Sequence, residues 1–249
     1  MRKINVITQK ELVDSDAVKH CTVVVVDVFL ATTTITHLLH QNYESVYTVK
    51  DAENALRIAK QLEEPYVLLG ESNGDLIEGF QYPDPLLFHK TVENQTAIIC
   101  STNGTKAVEK AKNAQKLYVS SIVNGHVVAE RIHEQQGDSS VVIVCSGNAG
   151  RFSMEDFVGA GQIVNHLVKQ GDYKLSDSAK SAKDLFRIER DRNFTSLYEC
   201  ETSTLFKQTG FEETMYWVVE KFESIEIVPV YQNEKIIKEV HQNKKGSFL

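Results

Sequence analysis

Residues 21–41 read CTVVVVDVFLATTTITHLLHQ. The first nine are apolar and β-branched almost without a break, the composition of a strand covered on both faces in a parallel sheet. From Ala31 the chain reads as a helix with threonines in its first turn. Strand, loop and helix make half of a βαβ unit, and the pattern recurs along the chain. SVYTV (45–49) is a strand, followed by Asp51 as N-cap of the helix AENALRIAKQLEE. PYVLLG (65–70) and QTAIIC (95–100) are strands, the second with the helix GTKAVEKAKNA. KLYVSS (116–121) leads to NGHVVAERIHEQ, and SSVVIVC (139–145) to SMEDFVGAGQIVNHLVKQG. This alternation predicts an α/β protein, a three-layer α/β/α fold with a largely parallel or mixed sheet. Residues 172–207 are charged and helical in character, and read as a helical insertion in a single domain spanning 1–249. GFEETMYWVVEKF is a further helix. SIEIVPVYQNEKIIKEV is a terminal hairpin turning near Gln232-Asn233-Glu234, with Pro229 suited to an edge strand. The tail HQNKKGSFL reads as frayed.

The formal net charge of −7 argues against a general nucleic-acid binder, which needs a basic footprint. It leaves room for a small anionic substrate in a locally positive pocket. No apolar run approaches bilayer-spanning length, and the N-terminus has no signal-peptide core, so a cytoplasmic protein without a membrane partner is expected. Cys21, Cys100, Cys145 and Cys200 are widely spaced with no CxxC pair, which points away from a disulfide framework or structural zinc. A homodimer is the working assumption for assembly.

Two loops repeat one pattern. Cys100-Ser101-Thr102-Asn103-Gly104-Thr105-Lys106 aligns with Cys145-Ser146-Gly147-Asn148-Ala149-Gly150-Arg151, with Cys, Ser, Asn and a basic residue at matching offsets. Each loop follows a strand and opens a helix, where unpaired N–H groups and the helix dipole attract anions and glycine lets the backbone come close. Ligands of open α/β sheets bind beyond the carboxyl ends of the strands. Those ends also carry Asp27 and Glu71. Two carboxylates plus a substrate phosphate suit Mg2+, which keeps several waters. A phosphomonoester is therefore expected between the loops. Ser101, Asn103, Gly104, Thr105 and Lys106 would bind it on one side, and Ser146, Gly147, Gly150 and Arg151 on the other. Asp27 and Arg151 would be catalytic, Arg151 stabilising charge on the phosphoryl group, and Asp27 and Glu71 would hold the metal.

Duller readings exist for each residue. Asp27 can cap a helix, Glu71 can sit in a surface turn, Lys106 can be solvated, and Cys100 and Cys145 can be small buried hydrophobes. Asp156 reads as a solvent-facing residue of a first helical turn. Cys145 to Arg151 also has the C-x5-R spacing of cysteine-dependent phosphatases, but Phe152 stands where a supporting Ser or Thr is usual.

Together, VVVDVFLATTTI (24–35), GESNGDLIEGF (70–80), CSTNGTKA (100–107) and CSGNAGRFSMEDFVGAG (145–161) resemble the 2-phosphosulfolactate phosphatases, from about residue 20 to 230. The resemblance implies a magnesium-dependent phosphatase of (R)-2-phospho-3-sulfolactate with an α/β/α fold, whose product sulfolactate is a coenzyme M precursor in some organisms. Three places depart from the family pattern. Leu30 stands where an arginine is usual, Gln81-Tyr82-Pro83-Asp84-Pro85 replaces an Asp-x-Gly-Asn-Ser-Pro run, and Thr214 replaces an aspartate. The departures admit a catalytically impaired member that binds an anionic metabolite, and the C-x5-R spacing leaves a cysteine-dependent phosphatase using Cys145 as a further alternative.

Overall fold

A computed structural model describes residues 1–88, 94–135 and 137–239; the tail read as frayed lies outside the described residues. The strands are β1 (Lys3–Ile7), β2 (Thr22–Val26), β3 (Ser45–Val49), β4 (Tyr66–Ser72), β5 (Asp75–Leu76), β6 (Thr96–Cys100), β7 (Lys116–Ser120), β8 (Val141–Cys145), β9 (Lys174–Leu175), β10 (Pro229–Gln232) and β11 (Lys235–Lys238). The helices are α1 (Ala31–His40), α2 (Ala52–Ala59), α3 (Gly104–Ala111), α4 (Gly125–Glu134), α5 (Met154–Gln170), α6 (Asp177–Asp191), α7 (Glu201–Thr209) and α8 (Glu212–Glu220). Asp51 caps α2 as expected, its carboxylate accepting from Asn54 N at 2.8 Å.

The strands form one mixed sheet in the order β5-β4-β6-β3-β11-β10-β7-β2-β8-β1-β9. β2 and β8 lie deep inside it and bury every residue, which is why both read as unbroken apolar runs. Helices α4, α5 and α6 pack on one another and on β7, β2, β8 and β1, while α1, α2 and α3 pack on β3, β4, β6, β7 and β2. The two groups are the outer layers of an α/β/α sandwich.

The terminal hairpin forms with its turn at Asn233-Glu234, both in the left-handed region. It does not lie at an edge. β10 and β11 sit between β7 and β3, β10 antiparallel to β7 through Val230–Tyr118 and β11 antiparallel to β3 through Ile236–Val46. Pro229 can be there because the pairing with β7 is confined to Val230, so no ladder bond is asked of its missing N–H. The hairpin joins two parallel half-sheets, and α1 packs across the junction onto β3, β7, β10 and β11. Sequence reading also passed over β1, whose residues alternate between outer and buried positions and give only a weak strand signal. Residues 172–207 hold α6 and α7, and also β9, which extends the sheet beside β1.

Candidate active site

A cavity of about 170 Å³ opens where β2, β4, β6 and β8 end. Its floor is polar: Asp27, Glu71, Ser101 and Asn103 line it, with Gly147 and Asn148 from the second loop and Glu155 and Asp156 from the first turn of α5. Its other wall is apolar, made by Phe29 and Leu30 before α1, by Tyr82 and Pro83, and by Leu205 and Phe206 of α7. Both half-sheets contribute, so the cavity belongs to the junction that the hairpin bridges.

Asp27 is buried under the start of α3. A Cβ on Gly104 would stand 2.7 Å from Asp27 Oδ2 and 2.5 Å from Ala31 Cβ, so glycine is required there by close packing rather than by an unusual φ. Burial pushes the Asp27 carboxyl up, and the charges of Glu155 and Glu71 push it further; the Ala31 amide and the more distant Lys10 act in the opposite direction. Glu71 is held as a brace. Its carboxylate accepts from Thr102 N at 2.5 Å, Thr102 Oγ1 at 2.8 Å and Gly74 N at 2.9 Å, tying β4 to the first loop.

Asp156 does not face solvent. It is buried, accepting from Val28 N at 2.8 Å and Gly147 N at 3.0 Å, and so locks the loop after β2 to the loop after β8. Burial raises its carboxyl well above the usual range, and Asp27 and Glu155 add to this. Asp156 sits three residues past Ser153, whose hydroxyl accepts its N–H at 3.2 Å. That capping pattern marks the helix start but not which way the side chain points.

The two aligned loops meet at Asn103. Its Oδ1 accepts from Ala149 N at 3.1 Å and from Lys10 Nζ at 2.9 Å. Lys10 is buried and also reaches Ser146 O at 3.3 Å and Glu11 at 2.9 Å. It staples both loops, and its own donors are spent in doing so. Sequence reading missed it because it lies in a short polar turn after the overlooked β1, remote from either motif.

In the first loop Thr105 Oγ1 donates to Ser101 O at 2.9 Å, and Ser101 Oγ accepts from Thr105 N at 3.1 Å. The amides of Asn103 and Gly104 have no protein acceptor among the described residues. In the second loop every amide but that of Gly150 has a protein acceptor. Ser146 N bonds to Val26 O, Gly147 N to Asp156, Ala149 N to Asn103, and Asn148 and Arg151 to each other. Gly147 and Gly150 both take positive φ to close this turn.

Neither Lys106 nor Arg151 lines the cavity. Lys106 is exposed on α3, and Arg151 is ion-paired to Glu201 at 3.3 Å at the surface. Gly104, Thr105, Ser146 and Gly150 likewise lie off the lining, whereas Asp27, Glu71, Ser101, Asn103 and Gly147 are brought together on it. Cys145 is buried beneath the site, and burial, with Asp156 and Glu155, drives its thiol well up, the wrong direction for a thiolate nucleophile.

Two of the departures noted in the sequence are one contact. Thr214 Oγ1 donates to Asp84 Oδ2 at 2.8 Å, and both residues are buried. Thr34 Oγ1 of α1 donates to Pro83 O at 2.6 Å, fixing the same segment beside the cavity. An aspartate at 214 would face Asp84 with like charge; threonine supplies a donor instead.

Among the described residues no group of three His, Cys, Asp or Glu side chains is arranged to hold a metal by itself. Mg2+ does not require one, since it takes one or two carboxylates and fills the remaining positions with water and phosphate. Asp27 and Glu155 fit that role. Their oxygens are hard donors, they repel one another, and among the described residues no Lys, Arg or His lines the cavity, Lys10 acting on Asp27 only from behind. Glu71 is nearby but already committed to three donors.

The 2-phosphosulpholactate phosphatase family matches residues 7–234. The chain belongs to this family. The family is one of phosphoric monoester hydrolases. The chain is 33% identical over 240 residues to a probable 2-phosphosulfolactate phosphatase of Clostridium perfringens (strain SM101 / Type A), covering 94% of this chain and 95% of the relative. It is 30% identical over 238 residues to one of Clostridium novyi (strain NT), covering 95% of this chain and the whole of the relative. Among the described residues no helix is long and apolar enough to cross a membrane.

Proposed function

We propose that this chain hydrolyses a small phosphomonoester of a 2-hydroxy acid, 2-phospho-3-sulfolactate being the reference substrate, with Mg2+ as cofactor. The observation that carries the reading is a cavity floor with four carboxylates, Asp27, Glu71, Glu155 and Asp156, and, among the described residues, no cationic side chain lining it. Such a floor repels a phosphate unless a divalent cation lies between them.

Asp27 and Glu155 would hold the ion, with Glu71 behind them. A bound Mg2+ would neutralise phosphate charge and lower the pKa of a coordinated water. The amides of Asn103 and Gly104, at the positive end of the α3 dipole, would take phosphate oxygens. Asp156 and Lys10 act at one remove: they fix the loops that present these groups. Phe29 and Phe206 exclude water from one side of the reacting phosphate.

The test is phosphate release from 2-phospho-3-sulfolactate with Mg2+ and with EDTA. Release that depends on Mg2+ supports the reading; equal release in stripped, EDTA-treated protein overturns its metal.

A further inference from the structure

Part of the cavity lining is apolar. Phe29 and Phe206 lie 5.6 Å apart between ring centroids, Phe206 and Phe211 6.0 Å, and Tyr82 stacks on Phe211 at 4.2 Å. Leu30 and Leu205 complete this surface. Burial, with Glu71 and Asp84, pushes the Tyr82 phenol up to about 12, so Tyr82 meets the cavity as a neutral ring. Among the described residues no Lys, Arg or His lines this wall or the floor, and buried Lys10 lies behind Asn103 with its donors engaged by Asn103, Ser146 and Glu11. A sulfonate placed here would lose its water and gain no positive partner, whereas an alkyl group would gain contact.

We propose that the side chain beside the phosphate is apolar: the favoured substrate is the phosphomonoester of a 2-hydroxy acid with a short branched aliphatic side chain. This rests on the phosphatase reading above and narrows its substrate. Size limits the group. A cavity of about 170 Å³ is little larger than the roughly 150 Å³ that holds one benzene, so beside a phosphate there is room for an isobutyl group and little more. The bond chemistry is that of hydrolysis: a water oxygen joins phosphorus, the ester P–O bond breaks, and the hydroxy acid leaves with a proton on its oxygen.

The experiment compares 2-phospho-4-methylpentanoate, 2-phospholactate and 2-phospho-3-sulfolactate, which differ only in side chain. Binding is measured by calorimetry and phosphate release in parallel, both with Mg2+. The isobutyl compound is expected to bind about tenfold or more tighter than the sulfonate, the scale of one buried aliphatic group. Leu30→Arg should reverse the order. Leu205→Arg, at a half-exposed position that tolerates the change, should narrow the ratio if Leu30→Arg does not fold. A wild type that binds the sulfonate best, or binds none of the three, overturns the inference, as does a folded Leu205→Arg protein with an unchanged ratio. The predicted binding order without phosphate release would leave the inference standing and remove the phosphatase reading instead.

Discussion

The loops Cys100–Lys106 and Cys145–Arg151 align residue for residue, yet the fold uses them differently. The first leaves the amides of Asn103 and Gly104 without protein acceptors among the described residues, at the mouth of α3. The second spends all its amides but that of Gly150 on Val26, Asp156, Asn103 and itself. One leaves amides free for the ligand proposed above, and the other is a brace tied to Asp156 and Asn103. Equal sequence offsets set equal turns, but what each amide points at depends on which strand ends lie beside it.

That contrast can be broken most sharply at its glycines. Gly104→Ala would press a methyl group against Asp27 and Ala31. It should lower kcat/KM by about a hundredfold or more, the scale of displacing one group of a reacting constellation. Gly150→Ala meets no atom within 4 Å but must hold a φ of +80°. It should cost about 1 kcal/mol of stability and leave kcat/KM within roughly threefold. Equal kinetic losses would show the two loops to be functionally alike.

The basic residues give a second measure. Lys10→Met leaves Asn103 Oδ1 and Ser146 O without their lysine donor. It should destabilise the protein by about 1–3 kcal/mol in chemical denaturation and reduce kcat/KM together with loop order. Lys106→Ala, on the outer face of α3, should change neither by more than its error. A large rise in KM for Lys106→Ala would restore it to the substrate.

Thr214→Val tests the apolar side. It removes the donor to buried Asp84 and should cost about 1–3 kcal/mol, with the Mg2+ dependence of phosphate release unchanged. A shift in the Mg2+ requirement would place Asp84 in the floor rather than behind the wall.

The smallest effect lies far from both loops. Burial raises the Glu239 carboxyl, but hydrogen bonds from Arg131 and Lys116 outweigh it and hold the group below its ordinary value of 4.5. The stability it contributes is present above that value and lost as pH falls through the lower folded one. Glu239→Gln should therefore lower Tm slightly at pH 7, by less than about 1 kcal/mol equivalent, with the gap closing below pH 4. A gap that widens in acid would reverse the assignment, and changed kinetics at pH 7 would mean that this corner is not separate from the site.

The sequence alone determined the layered α/β fold, because buried parallel strands must be apolar on both faces and their helices must carry one apolar stripe. β2, β3, β6, β7 and β8 are legible for that reason. It also determined that Asp27, Glu71, Ser101, Asn103 and Gly147 stand at strand ends, since strand and helix signals bracket them closely. Tertiary structure decided the rest. The hairpin β10–β11 enters the middle of the sheet because two half-sheets leave a place there, which no local pattern can encode. Lys10 and Asp156 reach the site because distant segments are packed together, and a short polar turn or a helical first turn carries no mark of its neighbours. Leu205 and Phe206 face the cavity for the same reason: an amphipathic helix declares that it has an apolar face, and only the assembled fold says what that face meets.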